Sequence, residues 1–277
     1  MNPMRLRRRK ARPLVPADGP AAMPPPRRGL IRLLPNLFTL AALFAAFFAV
    51  VQAMHGRFEV SAVAIFFAML LDGMDGRVAR MTNTQSAFGE QLDSLADMVS
   101  FGVAPALVIY EWLLKDLGRV GWAAAFVYCA CAALRLARFN SNLGVVDKRF
   151  FQGLPSPAAA ALIAGFVWLV IDNKIRLTDA AMPWVGTALT LYAGLTMVSS
   201  APFYSGKSFH FSRSVPFWVL VVALLLIFFV LVDPPIALFA LFCAYALSGY
   251  VYGAWRWWRG EANPAKPKPP VPTGEAK

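Results

Sequence analysis

The residues best equipped for chemistry are four aspartates gathered in LDGMDGRVARMTNTQSAFGEQLDSLAD, residues 71–97. Asp72, Asp75, Gly76 and Ala79 recur at i, i+3, i+4 and i+7, which places them on one face of a helix, with Arg80 one turn beyond Gly76. Gly89, Asp93 and Asp97 recur at i, i+4 and i+8 and make a second such face. The short polar connection MTNTQSAF lies between the two sets, so antiparallel neighbouring helices would turn the acidic faces toward each other. An ionised aspartate at the centre of a membrane helix costs about 2.5–3.5 kcal/mol, and four together also repel one another. Bound cations resolve both costs. Carboxylate oxygens in this number suit Mg²⁺ or Mn²⁺, with enough ligands for two ions. A lone membrane aspartate is ordinarily a helix-pairing residue or a step in an ion path. Four in two helical registers, with an arginine and three small residues beside them, describe a pocket for a metal and a phosphate.

The elements that must position these residues are membrane spans. The chain of 277 residues is 58% hydrophobic and 15% charged, with a mean hydropathy of +0.54; soluble domains carry about 25% charged residues. Apolar runs recur from residue 37 to residue 255, and eight spans are expected near 36–54, 59–76, 89–113, 121–140, 157–172, 181–199, 215–232 and 236–256. Residues 1–29 and 259–277 are basic and Pro-rich and read as disordered tails around a transmembrane domain at 30–258. The first apolar run, about 18 residues, exceeds the 7–15 of a signal-peptide core, so a retained helix is expected despite the cleavable look of Val51-Gln52-Ala53.

Charge fixes an expected orientation. With the amino terminus cytoplasmic, 22 of the 27 Lys and Arg fall on the cytoplasmic side, and the outer loops hold only Arg57, Lys115, Arg119, Lys174 and Arg176. Both termini and the acidic cluster are then cytoplasmic. The net charge of +12 is therefore a matter of topology and of anionic headgroups, and no nucleic acid is expected as a partner. Cys129, Cys131 and Cys243 offer neither a disulfide framework nor thiolate metal spacing. His55 falls on the outer side and His210 in a cytoplasmic loop, so no Ser/His or Cys/His arrangement presents an enzyme nucleophile.

Read as a pattern, the acidic stretch is D-G-M-D-G-R-V-A-R, eight residues, then G-E-Q-L-D-S-L-A-D. This resembles the signature of the CDP-alcohol phosphatidyltransferase family, D-x-x-D-G-x-x-A-R-x(8)-G-x-x-x-D-x-x-x-D, and matches every fixed position: Asp72, Asp75, Gly76, Ala79, Arg80, Gly89, Asp93 and Asp97. The resemblance implies an all-α polytopic bundle, a six-helix core here followed by two further C-terminal spans. It implies a two-metal site on Asp72, Asp75, Asp93 and Asp97, with Asp97 as the base that takes the proton of an incoming hydroxyl. Gly76, Ala79 and Arg80 match the positions that accommodate the cytidine nucleotide and its diphosphate, with Gly89 beside them.

Further stretches resemble the membrane-integral phosphatidylserine synthases of that family: LPNLFTLAALFAAFFAV at 34–50, SFGVAPAL at 100–107, ALRLARFN at 133–140, FQGLPSPAAAA at 151–161 and MVSSAPFYSGKSF at 197–209. They imply CDP-diacylglycerol and L-serine as substrates, a homodimer, and a bacterial inner membrane. Within them Arg135 and Arg138 have two readings, snorkelling cations or a clamp for a carboxylate or phosphate. Asn140, Ser156 and Lys207 are further expected substrate contacts. Other acceptors remain open, namely glycerol 3-phosphate, inositol or its phosphate, and choline-like alcohols. A cation-coupled transporter using the aspartates as an ion site is the alternative from another class, although no inverted repeat is visible.

Overall fold

The computed structural model describes residues 29–82, 84, 86–141, 150–172, 178–204 and 217–260. Lys207, His210 and the tail residues 1–28 and 261–277 lie outside the described residues. Among the described residues the chain forms eight helices: α1 Gly29–Met54, α2 Phe58–Thr82, α3 Ala87–Leu117, α4 Arg119–Ser141, α5 Ser156–Ile171, α6 Met182–Val198, α7 Phe217–Val232 and α8 Pro234–Trp258. Two three-residue strands, β1 Phe150–Gln152 and β2 Pro202–Tyr204, pair antiparallel with Phe151 opposite Phe203. The expected all-α polytopic membrane bundle is what the chain adopts. The small ribbon is an addition that three-residue strands, too short for any periodicity, do not announce.

The helices α1, α3, α4 and α8 are each long and apolar enough to cross a bilayer. The 25 residues of α2 match them in length, but Glu59, Asp72 and Asp75 interrupt its apolar character. It also runs to Thr82, past the end expected near residue 76, so that Asp72 through Arg80 share one continuous helix. Twelve of the 16 residues of α5 are buried, which makes it the central post of the bundle. By contrast α7 buries none of its residues and is apolar on all sides, as a helix facing lipid should be.

Small residues set the packing. In α1, Ala42, Ala45, Ala46, Ala49 and Ala53 are buried at helical spacing and meet Ser61, Ala62, Ile65 and Ala68 of α2, where the Ser61 hydroxyl donates to the Ala49 carbonyl. Lipid offers no hydrophobic drive for helix pairing, so close backbone approach and such hydrogen bonds carry the association. Gly194 of α6 lies against Tyr128 of α4 so closely that an added methyl would stand 3.0 Å from the Tyr128 Cα. Gly118, at φ +56, makes the sharp turn from α3 into α4.

The winding of α3 is not uniform. Immediately after Asp97 the turns widen over Met98–Val103, and the Ala104 N–H reaches back five residues to the Val99 carbonyl. Wide turns free backbone groups and recur at functional sites. Here the Phe101 carbonyl accepts the Tyr128 hydroxyl at 2.8 Å, a bond that locks α3 to α4 in the interior.

Gly194→Val should overpack the α4–α6 crossing and lower stability by about 1–3 kcal/mol, because a backbone atom cannot move aside as a side chain can. Gly73→Ala has nothing within 4 Å and should be neutral or mildly stabilising. Thermal unfolding of the two variants in the same detergent compares them directly.

Candidate active site

The two acidic faces do converge. Asp72 and Asp75 come from α2 and Asp93 from α3, and each presents a carboxylate oxygen within 4.8 Å of the others. The carboxyl groups form two facing pairs, Asp72 with Asp97 and Asp75 with Asp93. Helix α1 packs along both α2 and α3. The carboxylates occupy the space between the other two helices.

Asp75 is the most constrained of the four. It is buried, and both of its oxygens are engaged. Oδ1 accepts the Gly76 N–H, and Oδ2 lies 2.7 Å from Thr39 Oγ1 of α1. That hydroxyl also stands 3.2 Å from the Pro35 carbonyl, but it has one proton to give, and the nearer, charged acceptor takes it. The arrangement aims a carboxylate while leaving lone pairs on both oxygens for a cation.

Beside the carboxylates opens a cavity of about 190 Å³ between the start of α1, the end of α2 and the start of α3. Gly76, Ala79, Arg80 and Gly89, expected as substrate contacts, all line it together with Asp75 and Asp93. A methyl on Gly76 would meet only Arg80, at 3.6 Å, so the missing side chain there is open cavity. At Gly89 a methyl would press on Asn36 and Ser86 at 3.2 Å each. Ser86 caps α3, its hydroxyl accepting the Gly89 N–H at 3.0 Å. The N-terminus of an 11-residue helical stretch with its partial positive charge thus borders the cavity across from Arg80. Pro35, Asn36, Thr39 and Ser86 line the site without having been assigned a role from sequence. The available signal was Asn36 and Thr39, polar residues inside an apolar span.

A second polar region lies deeper. Asp97 Oδ1, Ser100 Oγ and Arg135 Nε are buried atoms with no hydrogen-bond partner. Arg135 is only 8% exposed, and its Nη1 donates to Ser156 Oγ at 2.9 Å. Asp97 is the acidic group that its guanidinium faces. Arg135 and Ser156 are therefore brought together beside Asp97. Buried polar atoms without partners are rare and call for a ligand or water.

Arg138 and Asn140 are employed otherwise. Arg138 Nη1 donates to the Val198 carbonyl at 2.8 Å, and Nη2 faces the carbonyls of Gln152, Met197 and Ser199 at 2.9, 3.1 and 3.4 Å. It caps the end of α6 and fastens β1 to it. Asn140 donates to Ser94 Oγ at 2.8 Å and ties α4 to α3 on the exposed side. Neither contact reaches the carboxylates, and the wide spread of carbonyls around Arg138 could not be read from its spacing to Arg135.

The donor set fits a hard divalent cation: oxygens only, close-set, one of them already oriented by two hydrogen bonds. No nucleophile–base pair accompanies it among the described residues; His55 sits at the α1–α2 turn, at the other end of these helices, with Nδ1 2.7 Å from the Val51 carbonyl.

Known proteins resemble this chain in sequence. The family model for CDP-alcohol phosphatidyltransferase matches residues 32–198. A Helicobacter pylori protein named CDP-diacylglycerol–serine O-phosphatidyltransferase is 34% identical over 225 residues, 81% of this chain and 91% of its own length. Proteins of the same name from Methanocaldococcus jannaschii and Saccharomyces cerevisiae are 37% identical over 162 residues and 36% over 157. These alignments cover 58% and 50% of this chain, and 72% and 56% of the relatives. With the acidic signature complete and its carboxylates converging, the chain belongs to the CDP-alcohol phosphatidyltransferase family.

Proposed function

We propose that this enzyme transfers the phosphatidyl group of CDP-diacylglycerol to L-serine, giving phosphatidylserine and CMP. The observation that carries the reading is the convergence of three signature carboxylates at the edge of a cavity bordered by Arg80 and a helix N-terminus. The names of the relatives supply the acceptor.

In this reading Asp72, Asp75, Asp93 and Asp97 hold two divalent cations, Mg²⁺ or Mn²⁺. Once bound, these supply charge neutralisation to the diphosphate and Lewis acidity to the reacting phosphorus. Arg80 and the N-terminus of α3 bind the diphosphate, and Gly76, Ala79 and Gly89 leave room for the cytidine. Arg135 takes the serine carboxylate, and Ser100 and Ser156 lie within the same polar region. Asp97 Oδ1 accepts the proton of the serine hydroxyl. The hydroxyl oxygen forms a bond to the phosphorus that carries diacylglycerol, and the bond from that phosphorus to CMP breaks, its electron pair leaving with CMP. Acyl chains remain in lipid throughout, and the cytidine faces the cytoplasm. Lys207 is a further phosphate contact in this scheme. Arg138 and Asn140 support the site by holding α4 to β1, α6 and α3. The protein sits in a bacterial inner membrane with both termini cytoplasmic, as its charge distribution favours, and acts as a homodimer, the state the family resemblance implies.

Asp93→Asn and Asp97→Asn should each cut CMP release by about 100-fold or more while the protein still inserts; either variant retaining activity would remove the metal-site account. EDTA should stop turnover, with Mg²⁺ or Mn²⁺ restoring it. CMP release measured with serine, glycerol 3-phosphate, inositol and choline in turn should single out serine, and a preference for another alcohol would reassign the acceptor.

The two arginines should separate. Arg135→Lys should raise the KM for serine. Arg138→Ala should leave buried carbonyls unpaired and cost about 2 kcal/mol of stability, read as a lower Tm in detergent. The opposite pattern would restore Arg138 as the anion clamp.

A further inference from the structure

The family match ends at residue 198, yet α8 at Pro234–Trp258 is built into the same core. It packs along α5, where a methyl on Gly165 would stand 3.3 Å from the Phe239 backbone, and it also packs on β2. The contact with β2 centres on Phe203, which is fully buried. Its ring lies 5.7 Å from that of Tyr245 and 6.4 Å from that of Tyr250, and it sits against Gly249 with no space for a methyl between them. The Tyr245 hydroxyl donates to the Tyr204 carbonyl at 3.1 Å. Tyr250 and Thr196 share a hydrogen bond of 2.9 Å, and the Tyr192 hydroxyl donates to the Ala246 carbonyl at 3.1 Å. Thus α8 grips both β2 and α6.

From β2 the connection runs straight to the deeper polar region. Phe203 pairs with Phe151 of β1, and Gly153, at φ +80 with its N–H on the Ala201 carbonyl, turns the chain toward Ser156. The only hydrogen bond that Arg135 makes among the described residues is to Ser156 Oγ.

We propose that α8 is the acceptor-side wall of the enzyme, and that Tyr245 is a positioning residue that sets serine binding by fixing the β1–β2 ribbon and, through Ser156, the guanidinium of Arg135. This rests on the proposed function in taking Arg135 as the acceptor's anchor. The route from Tyr245 through β2, β1 and Ser156 to Arg135 passes through no residue of α1, α2 or the start of α3, although α8 also meets α2 elsewhere, where the Phe242 and Phe66 rings stand 6.3 Å apart. Removing the Tyr245 hydroxyl, which leaves that ring contact alone, therefore acts on one substrate and spares the other.

The test uses the full chain in detergent, with initial rates of CMP release measured against serine at saturating CDP-diacylglycerol and the reverse. Tyr245→Phe removes one hydroxyl and should raise the KM for serine about fivefold, the scale of one net hydrogen bond. The KM for CDP-diacylglycerol and the Tm should stay at wild-type values. Gly249→Ala, which forces the Phe203 ring aside, should show the same one-sided split. Unchanged KM values for both substrates in Tyr245→Phe would overturn the proposal, and so would KM values that rise together or rise with a fallen Tm. Wild-type enzyme that releases CMP with an alcohol other than serine would instead correct the proposed acceptor, and the same one-sided split would then be read with that alcohol.

Discussion

Carboxylates brought together at the edge of a bilayer repel, and the rest of the molecule is arranged around that repulsion. Unit charges held about 5 Å apart oppose each other by about 3 kcal/mol at an effective dielectric constant near 20. Three of the aspartates meet within 4.8 Å, and Asp97 pairs with Asp72 behind them. No cation among the described residues makes an ion pair with this cluster. Arg80 borders the cavity, and Arg135 faces Asp97 from the interior. Under the proposed assignment, divalent cations would offset the remaining deficit, and a pyrophosphate would bind through them. What the protein itself supplies is rigidity enough to hold the carboxylates in place. The alanine-lined seam between α1 and α2 and the Thr39 hydroxyl on Asp75 do that.

The acidic faces were legible in the sequence for a simple reason. Helical periodicity converts spacing into direction, and Asp72/Asp75 and Asp93/Asp97 are spaced to share a face. The spans were legible because twenty apolar residues have few other places to go. Other features depend on contacts between distant segments and leave no local trace. Arg138 looked equal to Arg135, three residues away in LRLARFN, but a helix turns about 300° in three residues, and neighbours decide the rest. One guanidinium is sunk beside Asp97 and Ser156, and the other meets the end of α6 some sixty residues on. The β1–β2 ribbon joins residues about fifty apart through six residues in all, below the length at which alternation means anything. The wide turn after Asp97 carries no signature either, and it coincides with the packing of Tyr128 and Ala132 of α4 against Phe101 and Gly102.

That wide turn bears on geometry as well as on packing. In a regular helix Ser100, three residues past Asp97, and Phe101, four past, would both follow the line of the acidic face. Widening Met98–Val103 adds a residue to the turn and rotates everything beyond it. Asp97 is the last signature residue before the change, so the metal-facing register ends with it. The segment beyond is free to answer to α4, which it does through the Phe101 carbonyl and the close contact of Gly102 with Ala132. One helix thereby serves several partners: its first turns face α1 and the acidic face of α2, and its middle turns add α4 while Ala104 still packs on Ala45, Ala46 and Ala68 of α1 and α2.

An enzyme joining a nucleotide-linked lipid to an alcohol performs two tasks, and the polar side chains for them come from different elements. The carboxylates, Arg80 and the small residues that line the cavity belong to α1, α2 and the first part of α3, a local unit joined by short turns. Arg135 and Ser156 belong to α4 and α5, and their support comes from β1, β2, α6 and α8. Asp97 stands where the two halves meet, paired with Asp72 on one side and opposed to Arg135 on the other. The two regions also share a core away from Asp97, since α2 packs along α5 and the Phe66 ring stands 6.1 Å from Trp168 of α5 and 6.3 Å from Phe242 of α8. Under the proposed assignment, changes at the alcohol end that leave this packing alone would act on Arg135 and Ser156 without moving the carboxylates.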